Sequence, residues 1–325
     1  MRVAILGAGG WGKNHVRVFC ELLGDQNVLV CDPDVSRREA ARESHPDISL
    51  CDTPVFEGVD AVVIATPAVT HYALAREALS EGLHVLVEKP MALTSRQAEE
   101  LVALAEKTER ILMVDHLLEY HPAVQELKRL ISKGHFGKVL HLSSQRLNLG
   151  VIRTEENALW SLASHDISVM LYLLDEQPEE VFAKGEAFLQ PGVEDVACLV
   201  LRFASGVLGH VHVSWLDPVK TRKLIVVGES RMAVYDDLAE EKLVLFDFRV
   251  ERTTSGFRTA RENGQSVPLA SVEPLRSMAE AFLQSVKTGA TPPSDGHDGL
   301  RVVRVLEQAQ QSIEQRKDLT VEGTK

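Results

Sequence analysis

Cysteine is scarce in this 325-residue chain, and what there is lies scattered. Cys20, Cys31, Cys51 and Cys198 form no C-x-x-C pair, so neither a disulfide framework nor a zinc knuckle is indicated. No stretch reaches the roughly 20 apolar residues of a membrane-spanning helix. Met1-Arg2 leads into an apolar run that stops at Gly7, too short for a secretory leader. A cytoplasmic location is expected, in keeping with this sparse cysteine use. Positive charge is also short, with 35 Lys and Arg against 47 Asp and Glu and a net charge of −12. Nucleic-acid surfaces need clustered cations, so no nucleic-acid partner is expected. A few local cations could still hold an anionic small molecule. Internal repeats, coiled-coil heptads and low-complexity segments are missing as well.

What is present divides into two styles. Over the first ~120 residues, short β-rich runs alternate with helical patterns, the signature of a parallel α/β sheet. Strands are predicted at 3–6, 28–31, 61–65, 84–87 and 111–114, with helices over 12–23, 35–45, 70–81 and 94–108. A helix over 122–133 follows. Then come a strand at 138–148, a helical stretch at 158–175 and strands at 178–189, 195–203, 206–216, 221–227, 231–236 and 241–248, joined by tight turns. Helices over 272–287 and 297–315 close the chain. The predicted architecture is α/β: a Rossmann domain over 1–118, then an α+β domain with an open, mostly antiparallel sheet over 119–325 that binds substrate and carries oligomer contacts.

Gly7-Ala8-Gly9-Gly10-Trp11-Gly12 matches G-x-G-x-x-G between an apolar strand and a helix. The first glycine allows the tight turn, the second lets pyrophosphate approach the backbone, and the third permits close helix–strand packing. Asp32 follows Gly12 by twenty residues at the end of the second strand. A carboxylate there accepts hydrogen bonds from ribose hydroxyls and repels a 2′-phosphate, which favours NAD; Arg37 and Arg38 close by leave NADP open. Ala65-Thr66-Pro67 ends another strand on the carboxyl edge, which makes Thr66 and His71 candidates for the nicotinamide end. An exposed histidine at a helix start is an equal reading of His71. Glu88-Lys89-Pro90 closes the 84–87 strand on the same edge. A cationic nicotinamide ring beside Lys89 would disfavour its charged form and ease proton transfer.

The glycine-rich turn, A-T-P at 65–67, E-K-P at 88–90 and a downstream helix carrying His165 together resemble the glucose–fructose oxidoreductase / inositol dehydrogenase (Gfo/Idh/MocA) family across essentially the whole chain. The resemblance implies an NAD(P)-dependent dehydrogenase acting on sugar CH–OH groups, with Lys89 beside substrate and cofactor and His165 as acid/base. Gly10-Trp11-Gly12-Lys13-Asn14-His15, Tyr120-His121-Pro122, the segment Leu159 to Asp166 and Ser214-Trp215-Leu216-Asp217-Pro218 look closer to one branch. That branch oxidises C3 of UDP-N-acetylglucosamine-derived uronic acids. A ketosugar reductase of deoxysugar biosynthesis and a non-catalytic nucleotide-sensing regulator are the alternatives on the same fold. One departure stands out. The family commonly has aspartate four residues before the helix histidine, where this chain has Ser161. Positions four apart share a helix face, so Ser161 and His165 should both face the substrate; either Lys89 and His165 suffice or Asp166 takes part of the carboxylate's role, although adjacent helix residues diverge by about 100°.

On the substrate side, Trp160 reads as a core anchor or as a ring that stacks on sugar or uracil. Arg146 and Arg222-Lys223 are candidates for a diphosphate or uronic carboxylate, because a guanidinium offers a planar fork; solvated sheet residues are the equal reading. His116 and Tyr120 fall where the two styles meet, suited to sugar contact or to hinge packing. No metal is expected: His210 and His212 lack a third ligand at metal spacing, and Asp295 to Gly299 reads as a turn and helix cap rather than a calcium loop. Apolar alternation over 206–216 and 221–227 gives the second sheet a broad face, from which a homodimer or homotetramer is expected.

Overall fold

The computed structural model describes residues 1–315. The first six strands are β1 (Val3–Leu6), β2 (Val28–Cys31), β3 (Ser49–Cys51), β4 (Ala61–Ile64), β5 (His84–Val87) and β6 (Leu112–Val114). Between them run α1 (Gly12–Leu23), α2 (Val35–Ser44), α3 (His71–Ser80) and α4 (Ser95–Thr108). The sheet is wholly parallel, in the order β3-β2-β1-β4-β5-β6. Strands β1, β2 and β4 are buried at every residue, as expected where a parallel sheet is covered on both faces. The order reverses beside β1, so the loops after β1 and β4 open the crevice at the carboxyl edge where such sheets bind ligands. Polar side chains start two of these helices: Asp34 accepts from the Ser36 amide at α2 and Thr94 from the Gln97 amide at α4.

Beyond these lie α5 (Pro122–Ser132), β7 (Val139–Leu147), a π-helical turn (Leu159–Ala163) running into α6 (Ser164–Leu174), and β8 (Pro178–Glu186). Strands β9 (Val196–Phe203), β10 (Leu208–Ser214), β11 (Thr221–Gly228), β12 (Arg231–Asp236), β13 (Leu243–Thr253), β14 (Gly256–Arg261) and β15 (Gln265–Ser266) follow, then α7 (Pro274–Thr288) and α8 (Gly296–Gln315). The second sheet runs β14-β13-β12-β11-β7-β10-β9-β8, with β15 beside β13; β7 and β10 are parallel and every other pair is antiparallel. One face is buried, through residues such as Ala183, Leu199, Val211, Leu142 and Val226. On the other, cross-strand partners line up as Phe182, Val200, His210, Ser143, Ile225, Val234 and Val244 from β8 to β13.

The chain resolves into two compact units: Met1–Tyr120 with Val272–Arg304, and His121–Ser271 with the chain from Val305. The expected division into 1–118 and 119–325 is therefore corrected for 272–304. The reason is the apolar face of α7: Leu275, Met278 and Phe282 enter the core of the parallel sheet, where Phe282 meets Phe19 edge-on at 6.4 Å between centroids. The expected strand over 178–189 ends at Glu186, because the Phe188 and Leu189 amides turn onto the Asp195 carboxylate at 2.6 and 2.9 Å. Helix 158–175 divides into the π-turn and α6, and the hairpin of β13 with β14 extends well past the predicted 241–248 strand.

Candidate functional site at the carboxyl edge

The glycine loop is shaped by close approach. Gly7 has φ +91°, and a Cβ there would meet Ala65 O at 2.6 Å; one on Gly12 would meet Gly7 O at 2.1 Å. Both glycines are therefore dictated by packing. At Gly10 a Cβ would meet nothing within 4 Å, and at Gly9 only the Arg37 guanidinium, 3.5 Å away. The backbone is thus open at Gly9 and Gly10, just before the start of α1, and this is the cradle that a pyrophosphate needs. The predicted fingerprint fits a dinucleotide in this respect. Asp32 is buried; its Oδ2 accepts from the Ala8 amide at 2.7 Å and its Oδ1 from the Asp34 amide at 2.9 Å. This carboxylate fixes the loop as well as standing at the end of β2. Half-exposed Arg37 places Nη1 3.6 Å from Asp32 Oδ2, while Arg38 donates to the Asp32 carbonyl oxygen.

Three loops of the same edge are tied together by buried histidines. His71 lies at the start of α3, with Nδ1 2.8 Å from Pro90 O and Nε2 2.8 Å from Thr66 O. It joins the A-T-P turn to the E-K-P turn, and its burial answers the reading of an exposed helix-start residue. The Thr66 hydroxyl pairs with Thr70 Oγ1 at 2.6 Å. His15, on the inner side of α1, places Nε2 3.1 Å from Glu88 Oε1 and 3.2 Å from Asp115 Oδ2. Trp11 Nε1 donates to Asp115 Oδ2 at 3.4 Å, and the Lys89 amide to Glu88 Oε2 at 3.3 Å. Lys89 therefore follows a carboxylate anchored by His15 and precedes a carbonyl anchored by His71. Sequence reasoning named Glu88, Lys89 and Trp11 but missed His15 and Asp115 as participants. The available signal was their place: Asp115 directly follows β6 at the same strand ends.

His116 and Tyr120 are both buried. His116 Nδ1 lies 2.6 Å from Asp298 Oδ2 and 3.4 Å from Glu119 Oε1, and Tyr120 OH pairs with Ser294 Oγ at 3.1 Å. These contacts give both residues packing roles inside the first unit. Asp295 caps α8, its Oδ1 accepting from the Asp298 amide at 2.8 Å, as the turn reading expects.

In the second unit, His165 and Asp166 sit in the first turn of α6, directly after the π-turn that carries Trp160 and Ser161. Such turns recur at functional sites. Asn157 sets up the segment: its Oδ1 accepts from the Trp160 amide at 3.1 Å, and its Nδ2 donates to Glu194 at 2.6 Å and to Gln310 at 2.9 Å. Ser161 is buried, and its amide donates to Asn157 O at 3.0 Å. Asp166 turns to β7, where Arg146 Nε and Nη2 approach its two oxygens at 2.8 and 3.3 Å and Ser144 also donates to it. Arg146, a candidate for the substrate anion, is thus already paired with the buried Asp166. Arg222 faces Asp237 at 3.2 Å and Lys223 faces Asp236 at 3.2 Å, so each proposed anion ligand already carries a carboxylate partner. Beside them His121, Tyr235 and Asp237 group together: the His121 and Tyr235 rings lie 5.1 Å apart and Tyr235 OH donates to Asp237 Oδ1 at 3.2 Å. This grouping joins α5 to β12 across residues far apart in sequence, and no spacing announces it.

Residues 1–116 match the model of an oxidoreductase family with an NAD-binding Rossmann fold, and residues 124–234 match the GFO/IDH/MocA C-terminal domain. The chain is 27% identical over 316 residues to the UDP-N-acetylglucosamine 3-dehydrogenase of Acidithiobacillus ferrooxidans, spanning 97% of each. A solved structure of that enzyme agrees with a TM-score of 0.82 at 25% identity, over 97% of this chain and 98% of the other. The myo-inositol 2-dehydrogenase of Thermotoga maritima is 26% identical over 343 residues, 99% of each chain. Among the described residues, no helix is long and apolar enough to cross a membrane.

The two buried clusters also govern the response of the first unit to pH. Burial opposes the charge of His15, but hydrogen bonds and charges of Asp115 and Glu88 outweigh it and raise the pKa to about 9. Burial and the Asp115 charge push Glu88 up to about 7. Asp115 goes the other way: burial would raise it, yet the His15 hydrogen bond carries it below the usual range. In the second cluster burial likewise opposes His116, and Asp298 with Glu119 lifts it to about 10; burial lifts Glu119 to about 8. A pKa raised on folding stabilises at pH below the unfolded value, and that contribution disappears as pH climbs through the folded one. Both histidines and both raised glutamates therefore act in the same direction. The urea midpoint should fall as pH rises from 6.5 to about 9, and the double variant His15→Gln/His116→Gln should flatten the slope. A wild-type midpoint that holds or rises over this interval would contradict the assignment.

Proposed function

The chain belongs to the GFO/IDH/MocA family of oxidoreductases, and from that premise we propose that it oxidises a secondary hydroxyl, at C3, of a UDP-linked amino sugar or its uronic acid, using NAD. The observation that carries the substrate class is the full-length match to a UDP-N-acetylglucosamine 3-dehydrogenase. The cofactor reading is supported by the open backbone at Gly9 and Gly10 and by Asp32 at the end of β2. When bound, NAD supplies the hydride acceptor. The chain's own task is to hold the hydroxyl and take its proton as the C–H bond breaks. We assign that proton transfer to Lys89 and His165. Lys89 is suited by its backbone, which His15 and His71 fix through Glu88 and Pro90, since a catalytic group must be positioned as well as basic. His165 is suited by its place in the first turn of α6, where Asn157 sets the preceding turn. Ser161 can hydrogen-bond but brings no carboxylate, so in this reading Lys89 and His165 work without an acidic helper.

The test is NADH formation by the purified protein with NAD and, separately, UDP-N-acetylglucosamine, its uronic acid and myo-inositol. One of the two UDP sugars should be turned over, and Lys89→Ala and His165→Ala should each lower kcat by about 100-fold or more. Full activity in either variant would remove that residue from the mechanism. Turnover of myo-inositol alone would overturn the substrate class.

We further infer that a second copy of this chain covers the outer face of the nine-stranded sheet. The row from Phe182 to Val244 is apolar at five of its seven positions, and a contiguous apolar face is normally covered. Size-exclusion chromatography with light scattering should give a dimer or tetramer. Phe182→Glu with Val200→Glu should shift it toward monomer, and a monomeric wild type at micromolar concentration would refute the inference.

A further inference from the structure

A second cluster lies away from the carboxyl edge. It is built on the end of α1 remote from the glycine loop. Cys20 is eight residues beyond Gly12, about 12 Å along the helix at 1.5 Å per residue. Gly24, at φ +82°, turns the chain sharply after α1, its amide donating to Cys20 O at 2.8 Å. The turn brings Asp25 back toward Cys20, and Asn27 locks it by donating from Nδ2 to Leu23 O at 2.8 Å. His45 arrives from the far end of α2, where its amide caps the helix on Ala41 O at 2.9 Å. Three segments thus present a thiol, a carboxylate and an imidazole whose donor atoms all lie within 4.8 Å of one another.

We propose that Cys20, Asp25 and His45 form a zinc site of three protein ligands, with the fourth position left to water. The donor set is the first argument. Sulfur, imidazole nitrogen and carboxylate oxygen are the three ligand types that zinc takes, and three protein ligands with an open fourth position is one of its recurrent arrangements. Geometry is the second. Tetrahedral bonds of about 2.0 to 2.3 Å put ligand atoms about 3.3 to 3.8 Å apart, the shorter end for nitrogen and oxygen. His45 Nδ1 and Asp25 Oδ1 stand 3.1 Å apart, so they need to separate by only a few tenths of an ångström to admit the ion. Access is the third. Cys20 is buried at 4% exposure, while the Asp25 and His45 side chains keep 24% and 18%, so the carboxylate and the imidazole form a rim that opens on solvent above the sulfur. The backbone bonds at Gly24, Asn27 and His45 hold all three segments before any ion arrives, which lowers the ordering cost of binding.

The same atoms also satisfy one another: the Cys20 thiol and the His45 ring both meet the Asp25 carboxylate. On binding, zinc takes the place of the thiol proton, which leaves to solvent, and no electron is transferred. The ion joins the ends of α1 and α2, the two helices that flank β2 and Asp32. By mass action it should stabilise the folded chain. Metal occupancy is read from spectra and thermal midpoints, so it is measurable without turnover.

The experiment uses the full chain, freed of metal with a chelator and titrated with Co²⁺, then back-titrated with Zn²⁺. One Co²⁺ per chain should bind with a thiolate-to-cobalt charge-transfer band and tetrahedral visible bands, and Zn²⁺ should displace it. Cys20→Ser should abolish the charge-transfer band. His45→Gln, on the rim and outside the core, should weaken zinc binding by at least about 100-fold, the upper end of what losing a mere outer-shell partner costs. Zinc should raise the thermal midpoint of the wild type and leave that of both variants unchanged. Absence of the charge-transfer band in the wild type would overturn the proposal. So would zinc binding that both variants retain, which would place the ion elsewhere, for instance at His141 and His210, whose ring nitrogens lie 3.1 Å apart.

Discussion

His15 is a buried imidazole shared by two carboxylates, and the carboxyl edge of the parallel sheet is organised around it. Its ring sits inside α1, one turn beyond the glycine loop, and reaches Glu88 after β5 and Asp115 after β6. Burying three ionisable groups is costly unless they compensate one another. Here two carboxylates compete for one imidazolium: Asp115 keeps its charge, and burial with the Asp115 charge pushes Glu88 up to about 7. Removing His15 would leave like charges buried side by side. The same contact sets where the backbone of Lys89 runs, and His71 fixes its other flank. Position at this edge comes from buried histidines as much as from the glycines.

The second unit uses the same device differently. Arg146 and Asp166 neutralise each other under the sheet, holding α6 against β7, and Arg222 and Lys223 pair with carboxylates on the β12 side. A diphosphate or uronic carboxylate binding to either guanidinium would have to share it with an aspartate. The pairing fixes the orientation of each guanidinium and takes up part of the charge that an incoming anion would use.

How much was legible follows from what each feature is made of. The six-stranded sheet could be read because β1, β2, β4 and β5 are near-continuous apolar runs ending at Gly, Asp, Thr and Glu, and the glycine loop because backbone crowding at Gly7 and Gly12 tolerates no side chain. Strand β3 was lost because Ser49–Cys51 is three half-buried residues with no pattern to show. Strand β14 was lost because all six of its residues are exposed and carry no alternation. The helix around Trp160 was legible, but its π-turn is a matter of hydrogen-bond register that composition does not encode. His15 and Asp115 were overlooked because their partners lie 73 and 100 residues away along the chain. For His116 and Tyr120 sequence position left sugar contact and hinge packing equally open; the structure shows both buried and bonded to Asp298 and Ser294, contacts that no local pattern encodes.

In the function proposed above, Asp32 at the end of β2 is the residue that reads the ribose of the dinucleotide. The Ala8 and Asp34 amides hold its carboxylate in place, but Arg37 lies close enough, at 3.6 Å, to blunt its repulsion of a 2′-phosphate. The direct measurement is calorimetric titration of the purified chain with NAD and with NADP at the same ionic strength. The account predicts that NAD binds at least about tenfold more tightly, a difference of about 1.4 kcal/mol, and that Asp32→Ala narrows the gap. NADP binding as tightly as NAD or more so would contradict it and make Arg37, not Asp32, the residue that selects the cofactor.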